Sequence, residues 1–179
     1  MSHEGKKNIR QAIKRHFGTL SVAQKEACAE RIFAKVEALE PFAQAHTVAL
    51  YHALPDELPT ATIIEKWSKT KRIVLPCVEG ETMVFRTLCG HTRRGCFGIE
   101  EPLGEIVPPS QIDLMIVPGV AFDVSGHRLG RGKGFYDRFL AECDTHIYSV
   151  GVCFPFQLVE NLPCEPHDQP VDIVITANL

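Results

Sequence analysis

Asp113-Leu-Met-Ile-Val-Pro-Gly-Val-Ala-Phe122 is the strongest core-strand candidate in the chain. It leads directly into Asp123-Val-Ser-Gly-His-Arg-Leu-Gly-Arg-Gly-Lys-Gly-Phe-Tyr-Asp-Arg138. An unbroken apolar strand is covered on both faces, as strands are inside a parallel sheet layered with helices. Residues 132–143 then have a helical pattern, with Phe135, Phe139 and Leu140 on the apolar side. Strand, glycine-rich turn and helix in that order make one unit of an α/β fold.

The same alternation extends in both directions. Residues 46–53 (HTVALYHA), 72–78 (RIVLPCV), 82–88 (TMVFRTL), 146–153 and 171–176 read as further strands, and Pro76 is expected to end its strand. Upstream, Ile9, Ala12, Ile13, Phe17 and Leu20 lie at helical spacing over residues 6–18. Ser21-Val-Ala-Gln24 is a capping box for a second helix with a stripe of Cys28, Ile32, Phe33, Val36 and Leu39, stopped by Pro41. Thr60 is expected to cap a short helix carrying Ile63, Ile64 and Trp67, and residues 89–111 read as loop. The expectation is a single domain over 1–179: an open, mostly parallel sheet with helices on both faces. Ligands of such sheets sit beyond the carboxyl ends of the strands, here the loops after Ala53, Val78 and Phe122.

Composition narrows the function. With 45% hydrophobic and 23% charged residues, the chain has enough apolar surface to offset the ordering entropy. A net charge of -3 gives no overall attraction to nucleic acid or anionic membrane, so any anion site has to be local. Seven cysteines without a C-x-x-C pair suit free thiols in a reducing compartment and exclude a zinc knuckle. No stretch of 18 apolar residues and no secretory signal is present. Lys6, Lys7, Arg10, Lys14 and Arg15 against Glu4 alone also suit a mitochondrial transit peptide, the rival reading of that segment.

The chemistry concentrates between Arg128 and Arg138. Gly130, Gly132 and Gly134 let the backbone approach a phosphate closely, and Arg128, Arg131 and Lys133 supply full charges beside a helix start. The pattern is neither a Walker A loop nor a dinucleotide fingerprint. Asp137 follows Lys133 by one helical turn, where a carboxylate beside phosphates suits magnesium; a plain helix-surface acid paired with Arg138 or Lys133 is the competing reading. Asp172 is a second acid within possible reach. From residues alone Glu57 reads as an ordinary loop acid and Arg93-Arg94 as a solvated surface pair. The histidines show no metal-ligand spacing, and Ser125 lacks a nucleophile-elbow setting.

Taken together these segments resemble the 5-formyltetrahydrofolate cyclo-ligase family, over nearly the whole chain. The resemblance rests on Lys7 and Arg10, Glu57-x-x-Thr60, Lys71-Arg-Ile-x-x-Pro76 and Gly98-Ile-x-Glu101-Pro102. It continues through Asp113-x-x-x-Val-Pro-Gly119-x-Ala-Phe-Asp123, Arg128-Leu-Gly-Arg-Gly-Lys-Gly-x-Tyr-Asp137, Gly151, Gln157 and His167-Asp168-x-x-Val-Asp172. It implies an open α/β fold related to the sugar-phosphate isomerase and CoA-transferase group. It also implies a cytoplasmic, ATP-dependent carbon-nitrogen ligase that closes 5-formyltetrahydrofolate to 5,10-methenyltetrahydrofolate, with Mg2+.

Carried over by position, Lys6, Lys7, Arg10, Arg128 and the run Gly130, Arg131, Gly132, Lys133, Gly134, Phe135, Tyr136, Asp137 and Arg138 would bind ATP. Arg131 and Lys133 would be catalytic, and Asp137 and Asp172 would hold the metal. Glu57, Met83, Phe97, Arg131 and Phe135 would meet the folate. The family commonly has tyrosine where Phe135 stands, so a hydroxyl contact is missing here. The basic N-terminal helix belongs to the family pattern, which argues against a transit peptide. Partners are expected to be ATP and the folate, with no nucleic acid and no membrane, and the chain is expected to be a monomer. Two alternatives from other classes are a non-catalytic folate or nucleotide binder of the same fold and an RNA-binding module using the arginine-glycine loop.

Overall fold

Local sequence signals account for the first helices. The computed structural model describes residues 3–95 and 98–179. α1 (His3–Phe17) buries Ile13 and Phe17 and leaves Ala12 in solvent. α2 (Val22–Glu37) begins at the expected capping box: Ser21 Oγ accepts the Gln24 amide and Gln24 Oε1 accepts the Ser21 amide. Its buried stripe runs through Cys28, Ile32, Phe33 and Val36. Pro41 starts a further short helix, α3 (Glu40–Gln44), because proline is tolerated where helix amides are unpaired anyway.

β1 (Thr47–Ala49) is shorter than the pattern in 46–53 suggests. The chain then turns through residues 50–60, where Thr60 Oγ1 donates to the Tyr51 carbonyl at 2.6 Å and accepts the Ala53 amide. Thr60 therefore clasps this turn instead of capping α4 (Ala61–Trp67). β2 (Arg72–Glu79) runs straight through Pro76 and pairs with β3 (Thr82–Thr87). Val74 accepts a hydrogen bond from Leu50, so Pro76, two residues on, directs its missing donor to the same side, past the end of β1. The region read as loop contains a small hairpin, β4 (Thr92–Arg94) with β5 (Glu100–Pro102), and β6 (Ile106–Val107).

The stretch 113–122 is two strands. β7 (Leu114–Val117) lies in the main sheet, and β8 (Ala121–Asp123) lies in another. Pro118-Gly119 makes the break, and Gly119 has no side chain because the Phe122 ring stands 2.6 Å from where a Cβ would be. β9 (Arg128–Leu129) pairs with β8, followed by α5 (Phe135–Ala141), β10 (Tyr148–Val152), β11 (Leu158–Val159) beside β8, and β12 (Ile173–Ile175).

The main sheet has the order β12-β10-β7-β1-β2-β3-β6, with the first five strands parallel and β3 antiparallel to both its neighbours. Side chains alternate between two cores. Val48, Leu50, Ile73, Leu75, Leu114 and Ile116 face α1 to α4, whereas Ala49, Val74, Met115 and Val117 face Phe122 and α5. The expected mostly parallel sheet with helices on both faces is therefore present. Gly151 in β10 also lies against Phe122, with a hypothetical Cβ 2.5 Å from the ring. Gly151→Ala should lower stability by about 1–3 kcal/mol through overpacking, read as a lower urea midpoint at unchanged slope.

Candidate active site

The strand order reverses at β1, with β2 on one side and β7 on the other, and a crevice opens at the carboxyl ends of such strands. A cleft of about 580 Å³ lies there. Tyr51, Pro76, Val78, Met83 and Val120 give it an apolar wall, and Gly130 to Arg138 with Lys6 and Arg10 from α1 give it a charged one. Pro118 to Val120 supply the contribution of the third loop. The turn after Phe122 does not line the cleft, because Asp123 ties it down. That carboxylate, 3% exposed, accepts the amides of Ser125, His127 and Leu162 and lies 2.9 Å from His127 Nδ1. Burial alone would raise its pKa, but the Leu162 amide and His127 outweigh burial and lower it.

The glycine loop is not the start of a helix. Gly132 and Gly134 have φ of 94° and 66°, left-handed values that suit glycine, and α5 begins only at Phe135. α5 has seven residues, so its dipole adds little and the side-chain cations dominate the field. Arg10 Nε donates to the Gly130 carbonyl at 3.0 Å. Arg138 donates to the Glu81 carbonyl and lies over the Phe135 ring. Lys133 is exposed at the cleft and pairs with no acid among the described residues. Three lining cations, Arg10, Lys133 and Arg138, thus lack a carboxylate partner there.

The others are engaged. Arg128, 5% exposed, meets Asp137 at 2.8 Å. Asp137 Oδ1 accepts the Gln169 amide, so the surface-acid reading with Arg138 or Lys133 does not hold. Arg128 Nε and Tyr136 Oη are buried without a hydrogen-bond partner among the described residues. Burial, reinforced by the charge of Glu57, pushes the Tyr136 hydroxyl far above its usual pKa and keeps it protonated. Lys6 lies 3.0 Å from Glu165 and 3.2 Å from Asp168. Burial raises Asp168, but the Glu165 amide and Lys6 outweigh it, and its carboxyl titrates below the ordinary value.

Arg131 crosses the cleft mouth to the 54–58 turn. Its Nη2 and Nη1 donate to Asp56 at 2.6 and 3.2 Å, and its Nε donates to Glu57 at 3.1 Å. Glu57 is only 11% exposed and also accepts the Leu54 amide, so it is a fixed site group and not a free loop acid. Because Asp56 occupies the guanidinium fork an anion would use, Asp56→Asn should tighten inorganic tripolyphosphate binding about threefold to fivefold in a competition titration. Unchanged affinity would show that Arg131 does not meet the anion.

Residues 2–177 match the pattern of the 5-formyltetrahydrofolate cyclo-ligase family. The chain belongs to this family. It is 31% identical to the 5-formyltetrahydrofolate cyclo-ligase of Haemophilus influenzae, over 98% of this chain and all of that one. It is 32% identical to that of Escherichia coli K12, over 92% and 96%. The Aquifex aeolicus 5,10-methenyltetrahydrofolate synthetase has the same fold, with a TM-score of 0.85 and 35% identity, covering 96% of this chain and 89% of that one.

Most residues implied by the cyclo-ligase resemblance come together. Lys6, Arg10, Glu57, Met83, Arg128 and the whole run Gly130 to Arg138 line the cleft. Lys7 is exposed on α1 and does not line it. Phe97, with Cys96, lies outside the described residues. Asp172 stands apart from them. It precedes β12, at the amino end of a parallel strand, and its carboxylate is used by the Ser149 amide and hydroxyl and by His146. It shares no partner with Asp137 and does not line the cleft. The acids that do, besides Asp137, include Glu165 and Asp168; together with His167 these two bring ligand atoms within 4.8 Å of one another. Carboxylate oxygens in that position fit a hard divalent cation.

Several lining residues were missed from sequence. Tyr51 and His52 lie just past the carboxyl end of β1, so strand position would have found them. Glu101 lay in a motif of the family resemblance but was given no role; it is buried and accepts the Val78 amide and Arg93, which fastens the β4–β5 hairpin beside the cleft. No helix among the described residues is long and apolar enough to cross a membrane.

Proposed function

We propose that the chain closes 5-formyltetrahydrofolate to 5,10-methenyltetrahydrofolate at the expense of ATP, releasing ADP and phosphate. The observation that carries this reading is one cleft with acid-free cations on one wall and an apolar wall beside them. A polyanion and a heterocycle fit such a cleft side by side. The relatives named above support the same reaction.

In this reading the formyl oxygen attacks the γ-phosphate, and the resulting iminium phosphate is closed by N10 as phosphate departs. Phosphorylation turns a poor leaving oxygen into a good one. The protein contributes placement and charge. Lys133 and Arg131 stabilise the transferring group, Arg10 and Lys6 hold the nucleotide phosphates, and Phe135 and Met83 bound the folate with Glu57. When bound, magnesium would neutralise triphosphate charge, and Asp137 and Asp168, both on the cleft lining, would be the acids to hold it. The chain acts as a single cytoplasmic domain and as a monomer, with kinship to the sugar-phosphate isomerase and CoA-transferase group. Multiple-turnover growth of methenyltetrahydrofolate absorbance, strictly dependent on ATP, tests the proposal. Tight folate binding without turnover would replace it with the non-catalytic reading.

A further inference from the structure

His52 has no part in the reaction described above, yet it stands in the cleft assigned to that reaction. It lies just past β1, half-buried, next to Tyr51 and on the same lining as Val78 and Met83. It has no hydrogen bond or ion pair among the described residues. The other proton acceptors of the lining are held. Glu57 is taken by Arg131 and the Leu54 amide, and Glu101 by Arg93 and the Val78 amide. Asp137 is taken by Arg128 and the Gln169 amide. Glu165 and Asp168 hold Lys6, and His167 lies against both acids. The Tyr51 hydroxyl donates to the Leu58 carbonyl. Burial lowers the pKa of His52 against the opposing charge of Glu100, so at pH 7 the imidazole is neutral and one ring nitrogen is free to accept.

The proposed reaction has to dispose of one proton. N10 of 5-formyltetrahydrofolate carries a hydrogen, and 5,10-methenyltetrahydrofolate has none there. When the N10 lone pair forms its bond to the activated carbon, that nitrogen becomes cationic and its hydrogen strongly acidic. A neutral imidazole is base enough for such a proton at neutral pH. We propose that His52 is the general base of ring closure. A ring nitrogen of His52 takes the N10 proton as the N10–C bond forms, and the C–O bond then breaks with its electron pair leaving on phosphate. The imidazolium yields its proton to the departing phosphate, which restores the base.

This inference rests on the proposed function, and the test separates the two. Wild type, His52→Gln and His52→Ala are compared in single turnovers with ATP and 5-formyltetrahydrofolate, and folate binding is titrated calorimetrically without ATP. Glutamine keeps a hydrogen-bond acceptor at the position but does not take up a proton. His52→Gln should bind folate as wild type does and form methenyltetrahydrofolate about tenfold to a hundredfold more slowly. The wild-type rate should fall as pH drops through a pKa below the ordinary imidazole value, and this acid limb should be absent from His52→Gln. Added imidazole should speed His52→Ala, which a purely structural role would not allow. A wild-type rate in His52→Gln, or a His52→Ala rate that imidazole leaves unmoved, overturns the base and leaves the proposed function standing. A loss of folate affinity equal to the loss of rate overturns it too, because His52 is then a binding contact. Absence of turnover in wild type overturns both readings.

Discussion

Lys133→Ala is expected to lower kcat by about a hundredfold or more, the usual consequence of removing one charge-stabilising donor from a reacting group. Lys133 is the cation best placed for that effect. It stands between two left-handed glycines, it lines the cleft, and no acid among the described residues pairs with it. Its removal leaves no buried group without a partner, so the folded state should be unchanged and the loss confined to the chemical step. Arg131→Ala is the instructive comparison. Arg131 is held by Asp56 and Glu57, so its loss also exposes two carboxylates to the incoming nucleotide. Its KM for ATP should therefore rise as kcat falls, whereas Lys133→Ala should change mainly kcat. Absorbance-monitored turnover over a range of ATP reads both; wild-type rates in both variants would refute the assigned roles.

Asp137→Asn should destabilise the fold as well as reduce activity. Arg128 is 5% exposed, its Nε has no hydrogen-bond partner among the described residues, and besides Asp137 it has only a 3.5 Å approach to the Pro118 carbonyl and the Tyr136 ring, 5.5 Å away, to offset its charge there. Removing one member of a buried ion pair leaves an uncompensated charge, which costs about 3 kcal/mol or more. Urea unfolding in metal-free buffer should show this loss, and adding magnesium should not restore it. Replacing both partners, as in Arg128→Met with Asp137→Leu, should recover much of the stability while activity stays lost. If Asp137→Asn is as stable as wild type without metal, the carboxylate is not the counter-charge of Arg128.

The loop from Arg128 to Arg138 stood out in the sequence because glycines and cations are dense there, and the structure brings it to the cleft. The strands were legible as apolar runs, and Ser21 and Gln24 announced their helix correctly. Other features depend on tertiary partners. The break at Pro118-Gly119 falls inside an unbroken apolar run, so nothing in the periodicity tells that Ala121 to Asp123 joins another sheet. Thr60 has a good capping side chain, but Tyr51 and Ala53 compete for it successfully. Glu57 resembled a loop acid because its partner is 74 residues away. Asp172 appeared to be within reach of Asp137, but strand direction places it at the amino end of the sheet, and direction is not written in a run of apolar residues.

Arg131 joins the two lips of the cleft through carboxylates of a segment far away in sequence. On the proposed reading one lip receives the nucleotide and the other the folate, so whichever co-substrate arrives first resets the field that the second one meets. Linkage then requires equal factors in both directions: ATP alters folate affinity by the same ratio as folate alters ATP affinity.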